Sequence, residues 1–320
     1  MTGPNQSARA VFGVSLILAS ATCFGAMAIF AKVAYASGAD VHGVLLVRFG
    51  VAAVALLALM ALTSSSWPRG RDLQLLVAMG AVGYVGQSLT YFTALTRIPA
   101  GLVAVLFYTY PVLVAISAAV LGRRMPTMVI LAASGAATLG VALVAGPRLE
   151  GDLLGIVLAV AAAVIYTGYI LAGGRLSGGT GPLASTTIVC LAATFVYGGA
   201  WLAHTPSFPS GVTGWSAAVA TAVVSTVIAI VAFFAGLRLL GAAPSAAVSS
   251  AEPVVTSVLA FLVFGERLTS LQVFGAALVC ASVLGVAATS GRTSAPPPPS
   301  QPDLGSLGGQ NRPAASAGAS

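Results

Sequence analysis

Ten long runs of apolar residues, nearly free of charge, dominate this chain. They fall at 10–31, 41–62, 73–96, 98–122, 125–147, 153–174, 182–203, 213–237, 239–265 and 268–291, with charges inside them only at Arg48 and Glu252. A run of about 18 or more apolar residues is long enough to cross a bilayer as a helix. Inside hydrocarbon every backbone amide and carbonyl must find a partner within the protein, and a helix does this within one segment. The runs therefore predict an all-α integral membrane protein with ten transmembrane helices. Composition agrees: 58% of residues are hydrophobic and 7% charged, against about 25% charged in a soluble domain.

The connections are too short for a soluble domain and carry turn chemistry, as in Ser64-Ser65-Ser66-Trp67-Pro68 and Thr205-Pro206-Ser207-Phe208-Pro209. The segment 292–320, with four prolines at 296–299, cannot bury a core and is expected to be a disordered Pro/Ser/Gly-rich tail. The first run is too long for a signal-peptide core and is expected to stay uncleaved. The net charge of +7 does not point to nucleic acid, because the basic residues stand singly between apolar runs.

The chain repeats itself. Tyr91-Phe92-Thr93-Ala94-Leu95 has a counterpart 142 residues on in Phe233-Phe234-Ala235-Gly236-Leu237, and Tyr110-Pro111 has one in Glu252-Pro253. Gly13 to Phe24 aligns with Gly155 to Tyr166 at the same displacement. This gives a first five-helix repeat over 10–147 and a second over 151–291. Five is odd, so the second repeat enters the membrane from the opposite side and the halves are inverted. With the N-terminus inside, nine basic residues face the cytoplasm and Lys32, Arg97, Arg148 and Arg267 face outward. That bias places both termini in the cytoplasm.

Glu252-Pro253 and Gly265-Glu266-Arg267-Leu268 around the ninth run, with the aromatic-rich endings of the third and eighth, resemble the drug/metabolite transporter superfamily and its EamA-type members. The resemblance covers about residues 10–290. The first half departs from it, with Tyr110-Pro111 for Glu-Pro and Gly122-Arg123-Arg124 for Gly-Glu-Arg. It implies a carrier in the bacterial inner membrane, often an exporter of amino acids or other small metabolites, with a central cavity between the halves.

Within that frame Glu252 is the acidic residue well inside a span, where charge is costly and usually functional. Ser245, Ser249, Glu252 and Thr256 share one helical face. The corresponding Val103, Phe107, Tyr110 and Val114 are apolar or aromatic. Glu252 is the candidate substrate-binding or coupling carboxylate, with protons as the candidate coupling ion. Arg48 is the second intramembrane charge. It either pairs with Glu252 or snorkels to the headgroups. Gln87 and Tyr91 (with Tyr84) form a stripe on the third helix, flanked by Gly80, Gly83 and Gly86, and Tyr166 and Tyr169 add rings from the sixth. Such rings suit a small amphipathic or cationic ligand.

Pro111 and Pro253 lie in mid-span, where proline frees the carbonyls of Phe107 and Ser249 and makes a kink or hinge. No Walker loop, dinucleotide fingerprint or nucleophile–base pair is present, so neither an enzyme nor a cofactor is expected. His42 and His204 are too far apart in sequence to propose a metal. The functional expectation is a secondary transporter, an exporter of a small metabolite such as an amino acid, working by alternating access. A multidrug or cationic-compound exporter is the alternative. A phosphate-ester exchanger, which would want several intramembrane cations, and an intramembrane enzyme, which would want paired carboxylates, are weaker ones.

Overall fold

A computed structural model describes residues 4–95, 97–98, 100–122, 128–145, 152–176, 179–203, 205–264 and 269–290. The expected tail, the Gly-Glu-Arg-Leu segment at 265–268 and the arginines at 123 and 124 lie outside them. The described residues are helical throughout, with no strand. Eight spans are long and apolar enough to cross a membrane: Ala8–Ala36, Val41–Leu62, Gly70–Ala94, Leu102–Leu121, Leu153–Gly173, Pro182–Trp201, Gly211–Leu240 and Ala242–Val263. Two shorter apolar helices, Met128–Val144 and Ser270–Val286, occupy the fifth and tenth places.

The repeat is visible as a set of exchanged partners. The first span packs on the eighth and the third on the sixth, while the second pairs with the seventh, the fourth with the ninth and the fifth with the tenth. Swapping the halves turns first-on-eighth into sixth-on-third and leaves the other three pairings unchanged, as a two-fold axis between the halves requires. The agreement reaches single residues. Gly13 lies against Leu239 and Leu240, and Gly155, 142 residues later, lies against Ile98 and Arg97, 142 residues earlier.

Loop contacts sort the helix ends onto two faces. On one, Asp40 N donates to Ser207 O (3.0 Å), Ser210 N donates to Ser37 O (2.8 Å), and Arg97 pairs with Asp152 (2.9 Å). On the other, Thr180 donates to Asp72 and Gly13 meets Leu239 and Leu240. Each span thus runs from one face to the other, and the two five-helix halves are oppositely oriented.

Lipid tails are as apolar as leucine, so close packing and interhelical hydrogen bonds hold the spans together. Gly140 and Gly275 let the fifth and tenth spans meet backbone to backbone: a Cβ on either would come within 2.7 Å of the other's carbonyl oxygen. Ser20 Oγ donates to Ala229 O (2.8 Å), Ser225 Oγ to Cys23 O (2.6 Å) and Gln272 Nε2 to Val144 O (3.0 Å). Of the three flanking glycines on the third span, Gly80 makes a close approach, since a Cβ there would sit 2.5 Å from Val189 O. Gly83 and Gly86 have ordinary room.

Two kinds of irregularity break the helices, and both occur once in each half. Wide π-helical turns fall at Met79–Tyr84 in the third span and Val223–Ile228 in the eighth. The fourth span is interrupted at Tyr108 and Thr109, and the ninth, 142 residues on, at Ser250 and Ala251. Pro111 and Pro253 are therefore the second residues of restarted helices (Tyr110–Gly122 and Glu252–Phe264), a more complete break than the mid-helix kink expected from sequence. A proline's missing amide costs nothing in the first turn of a helix.

Candidate functional site

A cavity of about 60 Å³ lies between the halves, room for a few water molecules or a small ligand. Its lining includes Phe24 and Met27 from the first span, Arg48 from the second, and Tyr84, Gln87, Ser88, Tyr91 and Phe92 from the third. Phe107 of the fourth, Tyr166 of the sixth and Glu252 of the ninth complete it. At 1.5 Å per residue, Arg48 sits roughly 10 Å below the face where its span begins at Val41. Glu252 sits roughly 15 Å from the opposite face, counting from Ala242. The two charges thus reach the middle of the protein from opposite sides.

Arg48 does not snorkel. Its side chain is buried (2% exposed), with the guanidinium held at three points. Nε donates to Thr226 Oγ1 (2.7 Å), and Nη2 donates to Tyr84 Oη (2.9 Å) and more weakly to Ser225 O (3.5 Å). Tyr84 ends one π-helical turn, and Ser225 and Thr226 lie in the other. One guanidinium thereby ties the two irregular turns of the inverted halves together. It also lies over the rings of Phe49 (5.0 Å) and Tyr84 (5.6 Å), which stabilise a desolvated cation. No protein acceptor engages Nη1, so that edge of the fork remains for a ligand in the cavity.

Glu252 stands at the break of the ninth span. It is partly exposed because it lines the cavity, and it accepts a hydrogen bond from Tyr108 at the break of the fourth. It makes no direct ion pair with Arg48; the two charges act on each other across the cavity. Behind it, Tyr110 and Ser249 are buried and hydrogen-bonded to each other. The break is seated against the first span: a Cβ on Gly25 would meet Glu252 O at 3.0 Å, and Thr256 Oγ1 donates to Gly25 O (3.1 Å).

The structure brings Glu252, Arg48, Gln87, Tyr91 and Tyr166 to one cavity. Tyr110 and Ser249 form its support rather than its wall. The polar stripe of the ninth span is divided by the break: Ser245 is fully buried and Thr256 bonds the first span. Tyr166 is packed by ring contacts to Tyr110 (4.9 Å) and Phe107 (5.4 Å), and Phe107 packs on Tyr91 (5.1 Å). Sequence reasoning missed Phe24 and Met27, though the repeat offered a signal, since Phe24 is the counterpart of Tyr166. It also missed Tyr108, whose role depends on a break that hydropathy does not mark.

The EamA-like transporter family model matches the chain twice, over residues 11–146 and 153–288. An uncharacterized transporter of Bacillus subtilis (strain 168), YcbK, is 29% identical over 282 residues, 83% of this chain and 90% of its own. An uncharacterized transporter of Synechocystis sp. (strain ATCC 27184 / PCC 6803 / Kazusa), sll1319, is 26% identical over 206 residues, 60% of each chain. A solved crystal structure superposes with a TM-score of 0.73 at 20% identity, covering 90% of this chain and all of that one, a likeness of fold. With two family matches spanning both halves, the chain belongs to the EamA-like transporters, multi-pass membrane carriers of the drug/metabolite transporter superfamily.

Proposed function

We propose that this transporter is a secondary active exporter of a small metabolite of the amino-acid type. In this reading it works by alternating access in the bacterial inner membrane, with both termini in the cytoplasm and protons as coupling ion. The halves 10–147 and 151–291 are the two units that rock against each other, and 292–320 is a disordered cytoplasmic tail. The observation that supports the reading is that Arg48 and Glu252 contribute opposite charges to one small cavity. A zwitterion would set its carboxylate on the open edge of the guanidinium and its ammonium on Glu252. Gln87 and the rings of Tyr91, Phe107 and Tyr166 would then take its body. A cationic drug is the second reading, favoured by the same rings and carboxylate, but it leaves Arg48 Nη1 without a partner.

Proteoliposomes test the proposal. Glu252→Gln keeps the shape of the side chain and loses its charge. It should insert normally, lose transport driven by a pH gradient and retain substrate exchange at reduced affinity. Full driven transport by this variant would remove proton coupling through Glu252, and unchanged affinity as well would remove the residue from the site.

A further inference from the structure

The two broken helices are tied to each other at their breaks. Tyr108, in the break of the fourth span, hydrogen-bonds Glu252, the first residue after the break of the ninth. Tyr110, the first residue after the break of the fourth, hydrogen-bonds Ser249, the last helical residue before the break of the ninth. The ties are reciprocal about the two-fold, because Tyr108 and Tyr110 are the counterparts of Ser250 and Glu252. Both lie on the far side of the cavity from the Arg97–Asp152 face. The fourth span runs away from that face past Phe107, and Ser249 precedes Glu252 on a span that starts at the opposite one. Tyr110, at 1% exposed, and the ring of Tyr166 against it close the cavity there.

We infer that Tyr108 and Tyr110 are gating residues: with Glu252 and Ser249 they form a lock between the fourth and ninth spans that closes one exit of the cavity, and occupation of Glu252 releases it. The inference rests on the alternating-access reading above. Its physical basis is competition for one carboxylate. A hydrogen bond to an ionised carboxylate is about twice as strong as one between neutral groups. A proton or an ammonium head on Glu252 takes that charge, and the tie to Tyr108 weakens at the moment the cavity is loaded. The groups facing Glu252 are Arg48 from the second span, Tyr84 and Tyr91 from the third, Tyr108 and Tyr110 from the fourth and Tyr166 from the sixth. The first span offers Phe24, Gly25 and Met27, which do not titrate.

The lock can be tested without knowing the cargo. Spin labels at Leu121→Cys and Arg175→Cys, both exposed, report one on each half at the locked face. The full chain, carrying Cys23→Ala, Cys190→Ala and Cys280→Ala, is reconstituted in lipid, and the label–label distance is measured by pulsed electron resonance without substrate. Tyr108→Phe, Ser249→Ala and Glu252→Gln should each raise the population at the longer separation by roughly tenfold, the equivalent of one charge-assisted hydrogen bond. Tyr169→Phe, whose buried hydroxyl has no partner to lose, should leave the distribution unchanged. Distributions for Tyr108→Phe and Ser249→Ala that coincide with the parent would overturn the lock. So would an equal shift in Tyr169→Phe. A lock that opens as stated in a protein whose Glu252→Gln variant still transports at full rate would sink the proton-coupling reading and leave the lock standing.

Discussion

Replacing Arg48 by lysine separates the guanidinium's structural work from its charge. The lysine keeps the cation but is a single point of donors, whereas the guanidinium reaches Thr226, Tyr84 and Ser225 at once. Each hydrogen bond to a charged group is worth about 1.5–3 kcal/mol. The contact to Ser225 is long and contributes little, and the ammonium recovers one of the other two, so the net loss is about 2 kcal/mol. The two partners do not suffer equally. Thr226 Oγ1 still donates to Thr221 O (2.9 Å), while the Tyr84 hydroxyl is left unpaired in a buried site. The apparent melting temperature in mild detergent, followed by the fluorescence of Trp67, Trp201 and Trp215, should fall by about 4–8 °C. Tyr84→Phe should then cost far less in the Arg48→Lys background than in the parent, as a double-mutant cycle would show. A melting temperature within about 1 °C of the parent, or strictly additive losses, would refute the idea that one guanidinium joins the two π-helical turns.

Gly140→Ala should separate the fifth and tenth spans, because the added Cβ meets Gly275 O and Val279 Cγ2 at 2.7 Å. A loss of about 1–3 kcal/mol, read as a lower melting temperature, is expected, and an unchanged one would show that the interface yields freely. At the surface, the Arg97 guanidinium hydrogen-bonds Asp152 and holds its carboxyl below the usual carboxylate range. A group lowered on folding stabilises above its unfolded value, about 3.9, and loses that contribution as pH falls through the folded one. Asp152→Asn should therefore matter at neutral pH and make no difference in strong acid; equal effects at both would contradict the assignment. Reporter fusions at residues 5 and 305 should both read cytoplasmic, and a periplasmic signal at either terminus would contradict the nine-to-four bias in basic residues.

Hydropathy and internal repetition were enough to read the number of spans, the pairing of halves and the inversion. These follow from two constraints that act on sequence directly: hydrocarbon excludes charge, and an odd number of crossings reverses direction. The intramembrane residues Arg48 and Glu252 were legible for the same reason, since an ionisable group in an apolar run is conspicuous. What each touches was not. Arg48 lies seven positions into its run, and sequence could not choose between a headgroup and a partner 178 residues away in Thr226. The π-helical turns left no mark in composition, because a helix that widens by one residue keeps the same apolar faces. The breaks at Tyr108–Thr109 and Ser250–Ala251 were half visible: proline marks where an amide is missing, but whether the chain bends or stops depends on what packs against it. Here that is the first span, with Gly25 against Glu252, and the opposing break, with Tyr108 and Tyr110 reaching across. Sequence thus set which residues must avoid lipid. The meeting of the two halves decided which of them share a cavity, because that depends on the rotation of each helix about its own axis, fixed by its neighbours.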